Sequence, residues 1–376
     1  MLTPEEFRRH FPGLTDTVHL ASCSQGALSD TLATTLLEFQ YTMRERGAPW
    51  ARWMEEVAIS RRMFADLIGA IPDEIAVVSC ASSAAFQVAS TQDWQYRPRI
   101  VTTDMEFPSV ARVWLAQRSS GAQVMHVSEH AGLVDPTDYE ELIDERCGLV
   151  SVPLISYRNG LRLPAKHMIS AAKAVGARTF VDAYQAAGAE PIDVRELDCD
   201  YLTSGALKYM LGIPGIAFLY VRSGLADLAP LQNTGWFGRS DPFSFDARHI
   251  DYPSHARRFE TGTPSIPSAF GAVAGMRVLR TVDAAAMQAH VAELAQTLHD
   301  RLVEAGERIW SPTDPQLRGP QVAVTDTDPG ALSDFLAERR IVTSPRGDVL
   351  RVSLHYYNNI DDVEALVNGI RAYRSR

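Results

Sequence analysis

The sequence predicts an α/β protein: a mostly parallel, seven-stranded sheet covered by helices on both faces, followed by a smaller α/β unit. Three observations carry this. From about residue 74 to 222, short β-branched runs alternate with helical segments. A stretch rich in Gly, Pro and aromatics then interrupts the pattern, and a second strand–helix pattern closes the chain. The 376 residues are enough for one large core plus a second, smaller one.

The seven strand candidates are "EIAVVSC", "RIVTTD", "AQVMHVS", "CGLVSVPLISY", "RTFVDAY", "DYLTSGA" and "IAFLYVR". Helical candidates such as "SAAFQVASTQDW", "PSVARVWLAQRS", "PTDYEELIDE" and "AKHMISAAKAVG" lie between most of them. That alternation is the pattern of a parallel sheet wound with crossover helices. Only "LKYMLGIPG" separates the last two strands, too short for a helical crossover, so they are expected to form an antiparallel edge pair. Two amphipathic helices, about Thr31 to Arg46 and Trp50 to Ile68, precede the sheet region. Long helices follow it at about Ser265 to Thr281 and Ala284 to Glu304. The strand "QVAVTDT", the helix "GALSDFLAERR", the strand "VLRVSLHY" and the helix "IDDVEALVNGIRAYR" complete the chain. The expected division is an N-terminal segment over 1–20 packing near the small unit, a large domain over 21–255 and a small domain over 256–376.

Hydrophobic residues make up 46% and charged residues 22%, the balance of a globular enzyme. A net charge of −10 with no basic run argues against a nucleic-acid partner. The four cysteines, Cys23, Cys80, Cys147 and Cys199, show neither C-x-x-C nor Cys/His spacing, which predicts free thiols and no metal site. No apolar run reaches membrane-spanning length and "MLTPEEFRRHFPGL" lacks an apolar signal core, so a cytoplasmic location is expected.

Lysine supplies the sharpest local clue. Lys and Arg together number 36, yet only Lys166, Lys173 and Lys208 are lysines. Lys208 stands in "SGALKYMLGIPG", between a strand end and a glycine-flanked turn. A buried amine can lose its proton and become a nucleophile, whereas a guanidinium in practice cannot. Ligands of open α/β sheets sit at the carboxyl ends of the strands. There "VVSCASSAAF" places Ser82 and Ser83 at a helix N-terminus, where backbone N–H groups suit a phosphate. "FVDAYQAAG" places Asp182 just past an apolar strand. Phosphate seat, carboxylate and lysine in this order match the needs of pyridoxal phosphate.

At this point the sequence resembles a known family, the class V aminotransferase or cysteine desulfurase-like branch of the fold-type I pyridoxal-phosphate enzymes. "RRFETGTPS" is similar to its R-F-E-x-G-T-P, "VLRVSLHYYNN" to its R-x-S-x-x-x-Y-N, and "VDAYQ" to its D-x-x-Q element. The resemblance implies that Lys208 binds the cofactor aldehyde, Asp182 pairs with the ring nitrogen and Gln185 bonds the phenolic oxygen. It implies stacking by Phe107, without the proton transfer an imidazole would give. Ser82, Ser83 and Ser204 become phosphate ligands, and Thr263 and Trp236 reach the site of a second subunit in a homodimer. Arg351 becomes the fork that holds the substrate α-carboxylate, with Tyr157 and Asn159 as further substrate contacts. Arg158, Arg162, Arg239 and Arg346 fall in loops near the expected mouth, and convergence of two would imply a second acidic group on the substrate. "VTSPRGDVLR" lacks the loop cysteine of true desulfurases, which argues against persulfide transfer. "SGALK" also departs from the family's S-x-H-K, weakening the assignment of Ser204. The favoured reaction is β-elimination by a C–S lyase acting on an S-substituted cysteine, in specialised metabolism; the alternatives are aminotransfer or decarboxylating or oxidative deamination, and amino-acid epimerisation. A non-enzymatic binding protein is disfavoured by the intact Lys208, Asp182 and Gln185 set. A dinucleotide-binding dehydrogenase is disfavoured because no G-x-G-x-x-G follows the first strand.

Overall fold

A computed structural model describes residues 1–228 and 231–376. Its centre is a seven-stranded sheet of β1 (Ile75–Val78), β2 (Arg99–Thr103), β3 (Gln123–Val127), β4 (Cys147–Pro153), β5 (Arg178–Asp182), β6 (Tyr201–Gly205) and β7 (Ala217–Val221), in the order β1-β7-β6-β5-β4-β2-β3. Only β7 runs against its neighbours, pairing antiparallel with both β6 and β1. The expected antiparallel pair therefore exists but is not at the edge. The first strand adds outside the last, which closes the sheet on that side with β1.

Both faces of the sheet are buried, and the side chains divide between them with period two. Ile75 and Val77 of β1 join one apolar cluster while Ala76 and Val78 join the other. Val150 and Val181 likewise face the first cluster, and Leu149 and Phe180 the second. On one face the helices Asp30–Arg46, Trp50–Leu67 and Ile266–Leu279 pack together. The last of these is buried on nearly every side, as its almost unbroken apolar sequence requires. The helices Ala81–Ser90 and Pro108–Ala116 pack side by side, with Trp114 edge-on to Phe180 at 5.1 Å.

A third apolar cluster lies apart. It is built by the helix Ala284–Glu304, the closing helix Ile360–Arg374, β8 (Gln321–Thr325) and β10 (Val349–Ser353), with Leu20 added from the N-terminal segment. β10 pairs antiparallel with both β8 and β9 (Ser344–Arg346). The N-terminal segment is tied to this unit. Val18 and His19 pair in parallel with Ile341 and Val342, and Arg8 makes an ion pair with Asp362 at 2.8 Å. Among the described residues, no helix is long and apolar enough to cross a membrane.

Candidate active site

The carboxyl ends of β4, β5 and β6 open onto one cavity of about 280 Å³. Its inner wall holds Lys208, Asp182, Gln185, Phe107 and Ser82, and the unit carrying β9 and β10 contributes Arg346 and Arg351. Asp182 ends β5 and is 5% exposed. The backbone N–H of Tyr184 donates to its Oδ1 at 2.8 Å, fixing the carboxylate just as the chain leaves the sheet.

Lys208 follows β6 on a tight turn. The Leu211 N–H closes that turn on the Lys208 carbonyl at 3.1 Å, and Leu211 itself adopts φ +60°, a left-handed conformation that costs a branched residue about 1 kcal/mol or more. Two distant parts of the chain brace it. The Gly26 N–H donates to the Leu207 carbonyl at 2.9 Å, and a Cβ on Gly26 would lie 2.5 Å from the Lys208 carbonyl oxygen. His355 Nε2 is 3.0 Å from the Tyr209 carbonyl. The Lys208 amine therefore reaches into the cavity from a rigid mount, 5.3 Å from the Phe107 ring centre and 4.4 Å from that of Tyr184. Gly205 makes the last placement feasible, because a Cβ there would meet the Tyr184 oxygen at 1.9 Å.

Burial lowers the Lys208 amine to about 8, opposed by the attraction of Asp182. Burial raises Asp182, against the pull of the Tyr184 N–H and of Lys208. Behind Asp182 lies a second buried carboxylate, Glu106, pushed up to about 8 by burial and then by the Asp182 charge. Glu106 accepts from the Phe107 N–H at 2.9 Å and from Ser151 Oγ at 2.8 Å. It orients Phe107 and backs the cavity wall, and it had no place among the sequence-derived candidates. The only trace in the sequence is a carboxylate directly before that aromatic, just beyond the end of β2.

Arg351 is 1% exposed and has no carboxylate partner among the described residues. Its guanidinium is held by neutral acceptors: the Ser344 carbonyl at 3.2 Å, the Ser344 hydroxyl at 2.7 Å and the Tyr157 carbonyl at 3.0 Å. A buried cation without a counter-ion is a site prepared for an anion.

Comparison with known proteins decides the family. Residues 38–366 match the model described as aminotransferase class-V. The chain belongs to the aminotransferase class-V family. It is 34% identical to an uncharacterized aminotransferase, YcbU, of Bacillus subtilis, over 98% of each chain. It is 27% identical to a probable cysteine desulfurase of Methanothermobacter thermautotrophicus, over 96% of each. The apo cysteine desulfurase of Thermococcus onnurineus NA1 shares the fold, with a TM-score of 0.89 at 23% identity, over 99% of this chain and 98% of that one.

This class-V chain is a pyridoxal-phosphate-dependent enzyme of the α/β fold expected from its sequence. The cavity fits the cofactor. Gln185 Nε2 donates to the Cys23 carbonyl at 3.2 Å, while its Oε1 is buried with no partner among the described residues, a polar atom turned to a group still to arrive. The helix Ala81–Ser90 begins at the cavity with Ser82.

Several expected site residues lie elsewhere. Ser83 is not among the residues lining the cavity; its hydroxyl is 2.8 Å from that of Ser79 and 3.4 Å from Sγ of Cys80, which does line it. Ser204 is fully buried inside β6, and its hydroxyl makes only a long contact with the next carbonyl, so alternation along the strand points it off the cavity. Asn159 is also fully buried. Its Nδ2 donates to the Gly132 carbonyl at 2.7 Å and its Oδ1 accepts from the Leu161 N–H at 3.1 Å, so it ties two loops together. Thr263 is exposed and Trp236 half-buried among Trp50, Phe237, Phe243 and Phe245; neither lines this chain's own cavity. Tyr157 does, edge-on to Phe107 at 5.0 Å.

Of the four loop arginines, three are spoken for. Arg158 pairs with Asp348, Arg162 with Glu190 and Arg239 with Asp251. Arg346 alone of these lines the cavity. Cys23 and Cys80 line it too, the first buried and the second exposed. Burial raises the Cys80 thiol, but hydrogen bonds with Ser83 and Ser79 outweigh it and the net shift is downward.

Proposed function

We propose that this class-V enzyme catalyses β-elimination from an S-substituted cysteine, converting it with water to pyruvate, ammonia and a thiol. The observation that carries this reading is one deprotonable amine, Lys208, facing a cavity whose opposite aromatic wall, Phe107, can carry no proton. Pyridoxal phosphate, when bound, supplies the aldehyde that takes the substrate amine and the ring that draws electrons from Cα. Asp182 would hold the proton on the ring nitrogen. Ser82 and the helix N-terminus behind it would hold the phosphate, and Gln185 the phenolic oxygen. Arg351 grips the α-carboxylate, which fixes Cα over the lysine. Lys208, with its proton lost near pH 8, then removes the Cα proton at Nζ. A thiolate is only weakly basic, its conjugate thiol titrating near about 8.5, so it departs without a second acid on the leaving side. Epimerisation needs a proton delivered to the opposite face of Cα, for which Phe107 is unsuited; aminotransfer can use Lys208 alone and is separated from elimination by the test below.

Exposed aromatics near Trp236, with Phe243 48% and Phe245 73% accessible, support assembly as a homodimer in which Thr263 and Trp236 approach the partner's cavity. Incubation of the pure enzyme with S-ethyl-L-cysteine tests the reaction. Thiol, pyruvate and ammonia should appear in equal amounts. Keto acid that retains its sulfur, formed with an added acceptor, would overturn elimination in favour of aminotransfer, and loss of optical purity alone would favour epimerisation. Sedimentation of the same preparation as a fully active monomer would remove the shared-site element.

A further inference from the structure

β9 and β10 form a hairpin whose two-residue turn is Gly347 and Asp348, with Gly347 at φ +61°. The register pairs Ser344 with Arg351 and Arg346 with Val349. Opposed residues of an antiparallel pair share a face, as do residues two apart on one strand. Arg351, Ser344 and Arg346 therefore stand on one face of the hairpin, and both guanidiniums line the same cavity. Arg351 is the inner one. Arg346 sits two residues nearer the tip, about 6–7 Å farther out by strand rise, and is exposed.

Charge pairing separates Arg346 from its neighbours. Asp348, the nearest carboxylate along the turn, is engaged by Arg158 at 3.2 Å, and Arg158 is further anchored over the Trp310 ring at 4.4 Å. The Arg346 guanidinium has no ion pair or hydrogen bond among the described residues. An arginine at an ordinary surface would be solvated and would find nothing opposite it. This one rims a concave site that already holds a buried, unpaired guanidinium on the same face. Low-dielectric walls strengthen the attraction of such a pair for one doubly anionic ligand.

The geometry points to a second anion subsite: Arg346 recognises an acidic group at the far end of the substrate side chain, so the enzyme takes amino acids that carry a distal carboxylate or sulfonate as well as the α-carboxylate. This deepens the function proposed above, on which it rests for the α-amino acid seated by Arg351. It does not depend on which bond to Cα is broken.

The test compares two ligands of nearly equal shape on the holoenzyme, S-(2-carboxyethyl)-L-cysteine and its amide S-(2-carbamoylethyl)-L-cysteine, by titrating the change in visible absorption of the bound cofactor. The acid should bind about 5–10-fold more tightly than the amide, as for one charge-assisted contact at a partly exposed site. Arg346→Gln should bring that ratio to about one while leaving the affinity for the amide unaltered. Equal binding by the wild type, a ratio that survives in Arg346→Gln, an equal loss for both ligands, or no spectral response to either would each overturn the subsite. Selective binding of the acid without thiol release would keep the subsite and reject the elimination.

Discussion

The floor of the cavity and its mouth use the same residue types on different supports. At the floor, Asp182 leaves β5 with its carboxylate pinned by the Tyr184 N–H, Lys208 stands on a strained turn, and Arg351 is 1% exposed. At the mouth, Tyr157 and Arg346 stand on a loop and a hairpin tip, in partial contact with water. Fixed, desolvated groups suit the chemistry common to a family, because their energies are large and their geometry is set by the sheet. Groups in water are worth less each and can be exchanged without disturbing the core. Reaction type should therefore be sensitive to the floor, and substrate choice to the mouth.

Three experiments would break or sharpen that contrast. The largest effect is expected from Lys208→Ala, which removes the only lysine at the cavity. Turnover should fall by about 10²–10⁴-fold, and borohydride should no longer attach the cofactor to the chain, while the fold persists. Retention of borohydride labelling would show that another amine does the work. Arg351→Ala comes next. It should weaken binding of an amino acid by roughly 2–5 kcal/mol, read as the apparent Kd by absorbance titration. A wild-type Kd would place the α-carboxylate elsewhere.

The smallest effect concerns the second carboxylate of the floor, followed as stability against pH in cofactor-free protein. Glu106 is raised from 4.5 to about 8, so its contribution is full below about 4.5 and is lost as pH climbs through about 8. Lys208, lowered from 10.5 to about 8, acts with the opposite sign and in the window above 8, where stability gains as pH rises. Glu106→Gln should flatten the decline between pH 5 and 8 and leave a residue of slope from Asp182, whose proton is also held more tightly on folding. An unaltered slope would show that Glu106 is already ionised in that range.

The floor was readable in the sequence because it obeys local rules. A carboxylate after an apolar strand, a lysine after the next strand and Ser82 at a helix start each follow from where an open α/β sheet keeps its ligands. The order of the sheet was less accessible. β1 pairs with β7 from more than a hundred residues away, which no local pattern announces, so the antiparallel pair was placed at the edge. Loop side chains failed for a related reason. Asn159 is claimed by the Gly132 carbonyl and Arg239 by Asp251, and Arg162 by Glu190, partners that a linear reading cannot supply. Ser204 lies buried within a strand and off the cavity lining, where one residue of register decides between cavity and core. Glu106 was missed because its partners, the Ser151 hydroxyl and the Asp182 charge, come from β4 and β5.

The turn that presents the amine is gripped from both ends of the chain: Gly26 holds it from the N-terminal loop and His355 from beyond β10. A polypeptide with either piece undocked lacks the bracket on which Lys208 is mounted. A chain with either piece removed should therefore take up the vitamin-derived aldehyde poorly and stay colourless, read as visible absorbance after incubation with it.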